Sequence, residues 1–402
     1  MTDVINLIGN WLREVLLGWG VSELWTGLIL KSAAALLVAL VSMGFVIFII
    51  WLERKLAGRI QDRLGPNRAG PYGLFQSFAD IIKIFTKEYI TPEGADRGLF
   101  NIAPVLGLAS VLLIWAVFPF ASTLVGGDIH VGVLFVVAAG SFGIISILMA
   151  GWSSNNKYAL LGASRAVAML ISYEIPMILS LLVPVLLAKS MQLSEIVASQ
   201  QPWYIFVAPL AALIFFISSM AEIGKAPFDL LEAESELVAG YHTEYTGMKF
   251  GMFYVSEFLH QFTIGALLTT LFCGGWSGPF AEQVPILGVL YFYLKTFFWY
   301  VVISWIRLSL PRIRIDEMLN LNWRFLIPVS FANLITMAAA DRVMFEYGTA
   351  RWLYVLVMLA INLVILWAGI RLVNRLAQPV VRQRFPERPV AVPPETEILE
   401  VS

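Results

Sequence analysis

The chain reads as an all-α, polytopic integral membrane helix bundle, and three observations predict that class. Hydrophobic residues make up 59% of the 402 and charged residues only 14%, whereas charge is about a quarter of an ordinary soluble domain. Mean hydropathy is +0.78. Apolar runs recur along the chain, and each reaches the roughly 20 residues that cross a hydrocarbon core of ~30 Å as a helix.

In chain order, Val4 to Trp19 is amphipathic and short, with Trp11, Leu12, Val15, Leu16 and Trp19 marking an interfacial anchor. It lacks the basic start and small-residue cleavage site of a signal peptide. Nine spans are expected at residues 30–52, 100–122, 131–151, 163–188, 203–222, 251–275, 285–306, 325–341 and 352–374. Residues 1–377 then form one membrane domain, followed by a polar tail containing Pro and Arg at 378–402. No internal repeat suggests an inverted-repeat transporter.

Between the first two spans, residues 53–91 are too charged for a lipid core. Glu53 to Leu64 is expected to continue as a short polar helix with Arg59 and Arg63 one turn apart on one face. Gly65-Pro66-Asn67 and Gly70-Pro71 are turn signals. Leu74, Phe75, Phe78, Ile81, Ile82 and Phe85 then recur at helical spacing, opposite Gln76, Asp80, Lys83 and Lys87, which predicts a helix lying along the membrane surface.

Placing that loop in the cytoplasm puts 21 of the 27 Lys and Arg residues on its side and 5 on the other, with Lys295 inside a span. The asymmetry predicts an N-terminus outside and a C-terminus inside.

Charges inside spans are costly and mark function or pairing. Glu174 lies in the fourth span, before Pro176, which is expected to weaken the helix and free backbone carbonyls. Glu257 and His260 share a face of the sixth span, either as a relay or with His260 as a satisfied interior histidine. Lys295 is expected to pair with an interior carboxylate. Between the fifth and sixth spans lie Glu222, Asp229, Glu232, Glu234, Glu236 and Glu244 against only Lys225 and Lys249. On a helix Asp229, Glu232 and Glu236 share one face, which suits proton handling; a solvated acidic loop is the plainer alternative. One cysteine and three histidines cannot assemble an iron–sulfur cluster or a closed zinc site. With no glycine-rich nucleotide fingerprint either, nothing points to a metal, flavin, nucleotide or nucleic acid bound by this chain.

Four blocks carry a family resemblance. They are ERKLAGRIQDRLGPNRAGPYGLFQSFADIIKIFTKE from Glu53, RAVAMLISYEIP from Arg165, EIGKAPFDLLEAESELVAGYHTEYTGMKF from Glu222 and RLSLPRIRIDEMLNLNW from Arg307. Over about residues 25–340 the chain resembles the H-subunit family of NADH:quinone oxidoreductase (respiratory complex I), its quinone-chamber membrane subunits. It departs from the family pattern at Met169, Gly224, Lys225, Ile315 and Glu317, where Gln, Asn, Arg, Tyr and Gln are usual, and it adds a ninth span to the family's eight.

The resemblance implies a proton-translocating enzyme subunit in the inner or plasma membrane of a prokaryote, forming part of a quinone chamber. It assigns Arg54, Arg59, Gln61, Arg63, Gln76, Asp80 and Lys83 to the quinone path. It assigns Glu174, Glu222, Asp229, Glu232, Glu234, Glu236, Glu257 and Lys295 to proton coupling. Quinone is then the substrate, and the partners are peripheral-arm iron–sulfur and quinone-site subunits, antiporter-like membrane subunits and lipid. Two rivals are the homologous membrane subunit of an energy-converting hydrogenase or formate-linked complex, and a stand-alone proton-coupled transporter or channel.

Overall fold

A computed structural model describes residues 4–229, 238–348 and 350–376. Among these the chain is helical, with one isolated bridge between Pro119 and Val125 and no strand. The amphipathic α1 (Val4–Gly18) turns at Gly20 into α2 (Glu23–Ile60), and Arg13 pairs with Glu23 across the turn. At 1.5 Å per residue α2 is about 57 Å long, well beyond a bilayer core, so its last turns stand clear of the apolar layer. The surface helix follows as α3 (Gln76–Thr86), and then α4 (Arg97–Trp115), α5 (Gly132–Ser153) and α6 (Lys157–Ala188) cross in succession. After α7 (Leu193–Ser199) the chain forms α8 (Tyr204–Val207), α9 (Pro209–Ile223), α10 (Gly247–Phe272) and α11 (Pro285–Ser309). Helix α12 (Ile315–Leu321) runs through a π turn (Asn322–Leu326) into α13 (Ile327–Glu346), and α14 (Arg351–Leu376) closes the described chain.

Seven of these stretches are long and apolar enough to span: α2, α4, α5, α6, α11, the continuous Ile315–Glu346 and α14. The other two of the nine expected spans are helices of a different kind. Helix α9 has only 15 residues because Ala208, at φ −128° and ψ 59°, breaks it from α8 just before Pro209. Helix α10 has 26 residues but carries Glu257, His260 and Gln261 near its middle. It tolerates them because it is the hub of the bundle, packed on α2, α3, α4, α9 and α11 and buried nearly all round from Phe258 to Phe272. Around it Phe45, Trp115, Phe262 and Tyr293 stack as one aromatic core. Leu36, Leu40, Leu294, Phe298 and Trp367 face outward, the surface a lipid-embedded bundle presents.

Prolines inside helices organise two contacts. Helix α6 runs unbroken through Pro176 and Pro184, so the expected weakening is not seen as a break. A proline still lacks the N–H for the carbonyl four residues earlier. For Pro176 that carbonyl is Ser172 O, and Asn322 Nδ2 of the π turn donates to it at 2.5 Å. For Pro104 it is Phe100 O, and the Tyr245 hydroxyl donates at 3.2 Å while its ring stacks on Phe100 at 4.1 Å. Burial pushes the Tyr245 phenol up to about 12, which keeps it a neutral donor. These two freed carbonyls thus tie the π turn and the Tyr245 loop onto spans.

Candidate functional site

Neighbouring residues on a helix point about 100° apart, and at the protruding end of α2 this sends Glu53 and Arg54 to different partners. Glu53 turns inward, where it is 7% exposed. Its Oε2 accepts from the Tyr300 hydroxyl at 2.8 Å and its Oε1 pairs with Arg307, both on α11. Arg54 turns to α3 and pairs with Asp80, whose other oxygen accepts from Gln76 Nε2 at 3.3 Å. The chain then folds back over this end. Gly58 permits the close approach, since a Cβ there would lie 2.7 Å from Gly65 N and 2.8 Å from Arg63 O. Gly73, at φ +76°, sits where a Cβ would overlap Pro66 O.

A cavity of ≈ 400 Å³ lies between these parts, lined by Glu53, Arg54, Gln61, Arg63, Tyr254 and Arg307 among others. Of the residues assigned to the quinone path, Arg54, Gln61 and Arg63 line it, and Gln76 and Asp80 stand behind Arg54. Arg59 and Lys83 are exposed and do not line it. The expected shared face of Arg59 and Arg63 is not formed: α2 stops at Ile60, Asp62 takes φ +53°, and Arg63 Nε bonds Gln61 Oε1 at 2.7 Å. Sequence reasoning misses Glu53, Tyr254, Tyr300 and Arg307 at this site; the places of Glu53 and Arg307 at the heads of the first and fourth blocks are the signals that could have found two of them. Beside the cavity, α3 leaves Phe75, Phe78, Ile82 and Phe85 exposed as an apolar ledge, while its Ile84 packs against Gly251 of α10.

On the far side of α10, Glu222 from the end of α9 faces Glu257 and His260. All three line a second cavity of ≈ 80 Å³, with Ser110, Ser146 and Ser256. His260 Nε2 is 3.9 Å from Glu222 Oε1. Glu257 Oε1 is 3.2 Å from Lys225 Nζ, which lies 3.9 Å over the Phe258 ring. Glu174 accepts from Ser141 Oγ at 2.9 Å, within electrostatic reach of Glu222. Asp229 is half-buried at the edge of the described chain, and Glu232, Glu234 and Glu236 lie outside the described residues, as does the tail at 378–402.

Among the described residues Lys295 pairs with no carboxylate. Its ammonium donates to the carbonyls of Cys273, Gly275 and Ser277 at 2.8, 3.0 and 2.8 Å and lies 4.6 Å over Trp203. It caps the C-terminal end of α10, where unsatisfied carbonyls and the helix dipole favour a cation. Among the described residues no group of three His, Cys, Asp or Glu side chains is placed to hold a metal ion. The arrangement therefore offers charged hydrogen-bonding groups beside an apolar ledge, and a carboxylate cluster behind the same helix.

A profile of the family described as NADH dehydrogenase matches residues 33–338. The chain is 45% identical over 345 residues to the NADH-quinone oxidoreductase H subunit of Dehalococcoides mccartyi strain CBDB1, covering 85% of this chain and 95% of that one. It is 42% identical over 346 residues to the protein of the same name from Bacteroides thetaiotaomicron, covering 83% and 96%. With that of Carboxydothermus hydrogenoformans it shares 46% over 308 residues, covering 76% and 87%.

Proposed function

The chain belongs to the H-subunit family of NADH-quinone oxidoreductase, membrane subunits of complex I, and from that premise we propose that the cavity at the end of α2 is its share of the quinone chamber. The observation that carries this reading is the pairing of opposite chemistries at one place. The exposed phenyl and isoleucyl ledge of α3 suits an isoprenoid tail leaving the bilayer. The cavity beside it offers Arg54, Arg63 and Arg307 to a head group whose oxygens gain negative charge on reduction. Two electrons and two protons convert quinone to quinol. The electrons come from an iron–sulfur partner docked over the basic, cytoplasmic loops, with the N-terminus on the opposite face of the membrane. Glu174, Glu222 and Glu257 carry the effect of that charge toward antiporter-like neighbours in the membrane, and Asp229, Glu232, Glu234 and Glu236 extend the same acidic channel.

Arg54→Ala in the assembled complex tests the chamber. Quinone reduction is expected to fall about tenfold or more, while electron transfer from NADH to a water-soluble artificial acceptor persists. Equal loss of both activities would move Arg54 from the chamber to assembly.

A further inference from the structure

Helix α10 is a wall between the two cavities. Tyr254 and Phe258 line the chamber-side cavity, and Phe253, Ser256, Glu257 and His260 line the other. The residues on the second side are not equivalent as carriers of a proton. Ser110 and Ser256 both donate to Gly107 O, at 2.7 and 2.9 Å, and Ser146 donates to Ala103 O at 2.7 Å. Their hydroxyl protons are committed to backbone, so toward the cavity they offer lone pairs only. Glu222, Glu257, His260 and the Tyr241 phenol are the lining groups that can both take up and release a proton, and of these His260 is the one with two separate nitrogens to do so.

His260 stands between the two acids. It lies three residues after Glu257, on the same helical face. Its Nε2 is 3.9 Å from Glu222 Oε1, too long for a direct hydrogen bond and short enough for one water or a small rotation to close. The cavity of ≈ 80 Å³ has room for about two waters and has polar groups to hold them. Imidazole is the side chain that accepts at one nitrogen while donating from the other.

We propose that His260 is a proton relay between Glu222 and Glu257. The Glu222 carboxylic acid gives its proton to Nε2, and Nδ1 gives a proton through cavity water to the Glu257 carboxylate. Glu222 is left as the anion and Glu257 as the acid, and the starting tautomer returns when Nε2 releases its proton to cavity water and Nδ1 takes one up from it. The charged groups around the relay set its resting state, with the proton on the Glu222 side. Lys225, 3.2 Å from Glu257, is the counter-charge of the receiving carboxylate, and Glu174 is the like charge acting on the giving one. Extra negative charge in the neighbouring cavity, one wall away behind Phe258, draws the proton toward Glu257. Only that trigger rests on the quinone-chamber reading.

The test uses the whole complex in sealed proteoliposomes, reading protons translocated per quinone reduced. His260→Asn and His260→Gln keep polarity and size but cannot relay a proton, so a structural role survives them and a relay does not. The ratio is expected to fall by at least half in both. In His260→Ala, added imidazole is expected to restore it. A wild-type ratio in either amide variant, or a depressed ratio in His260→Ala that imidazole leaves unchanged, overturns the relay. If Arg54→Ala spares quinone reduction while the amide variants lose coupling, the chamber reading fails and the relay stands.

Discussion

The hydroxyl of Tyr300, fully buried on α11, donates to Glu53 Oε2 at 2.8 Å from 247 residues further along the chain. The same carboxylate holds Arg307 through its other oxygen. Tyr300→Phe removes one hydrogen bond to a charged group, worth on the order of 1.5–3 kcal/mol, and leaves the ion pair. Glu53→Gln removes a counter-charge from Arg307 at a cavity wall, which costs more. Quinone kcat/KM in the assembled complex is therefore expected to fall roughly tenfold or more in Tyr300→Phe and further in Glu53→Gln. The reverse order would show that the hydroxyl, not the ion pair, sets the geometry.

Gly58→Ala tests how the loop is held over the cavity. A new Cβ would lie 2.7 and 2.8 Å from backbone atoms of Gly65 and Arg63, which cannot swing aside as a flexible side chain does. The Arg63–Pro66 segment must move, and with it the Gln61 and Arg63 side of the cavity. KM for quinone is expected to rise severalfold while α2, with alanine's better helix propensity, loses nothing. An unchanged KM would mean that the loop does not bound the quinone site.

What is legible in the sequence follows from the range over which each signal acts. Span positions are set by run length and apolarity, which are local, so α2, α4, α5, α6, α11 and α14 fall where the apolar runs do. The break at Ala208 and the polar middle of α10 are less visible, because burial by neighbours, not the helix's own residues, makes them tolerable. At the site, Arg54 and Asp80 lie within one motif, but Glu53 finds Arg307 across 254 positions, a distance over which spacing carries no information. An intramembrane cation needs an acceptor, and from sequence a carboxylate is the natural choice for Lys295. The sequence does not display that the turn at Gly274-Gly275 aims three carbonyls at it.

The cap made by Lys295 predicts a stability effect, not a redox one. Lys295→Met keeps the stem and removes a charge-assisted donor from three carbonyls. The assembled complex is expected to melt several degrees lower, with its coupling ratio unchanged in the intact fraction. A coupling defect without loss of stability would restore Lys295 to a proton path.

Helix α14 lies beyond the matched family region and packs on α8, α9 and α13. Asn362 is its anchor, donating to Val207 O at 3.2 Å beside the α8–α9 break and to Met358 O at 2.7 Å. Tyr354 adds a bond to Asp341 at 2.8 Å. None of the residues lining the two cavities is on this helix. Ending the chain at residue 349 is expected to lower thermal stability while quinone turnover per assembled complex persists, and Asn362→Leu to cost about 1 kcal/mol. Loss of turnover in a fully assembled truncated complex would give α14 a part in the chemistry.

The acids on α6, α9 and α10 are expected to act as one unit. Glu174 is held by Ser141 of α5, Glu222 Oε1 lies beside the adjacent Gly140, and Glu222 shares its cavity with Glu257. Charge added to or removed from one member changes what the next can hold, so their contributions to coupling do not sum. Glu174→Gln and Glu222→Gln are each expected to lower the number of protons moved per quinone reduced, and the double variant to lower it by clearly less than the two effects combined. The comparison needs complexes matched for assembly, because Glu174 also ties α6 to α5 through Ser141. Additive losses would make the two carboxylates independent, and normal pumping by both single variants would reduce them to structural partners of neighbouring polar groups.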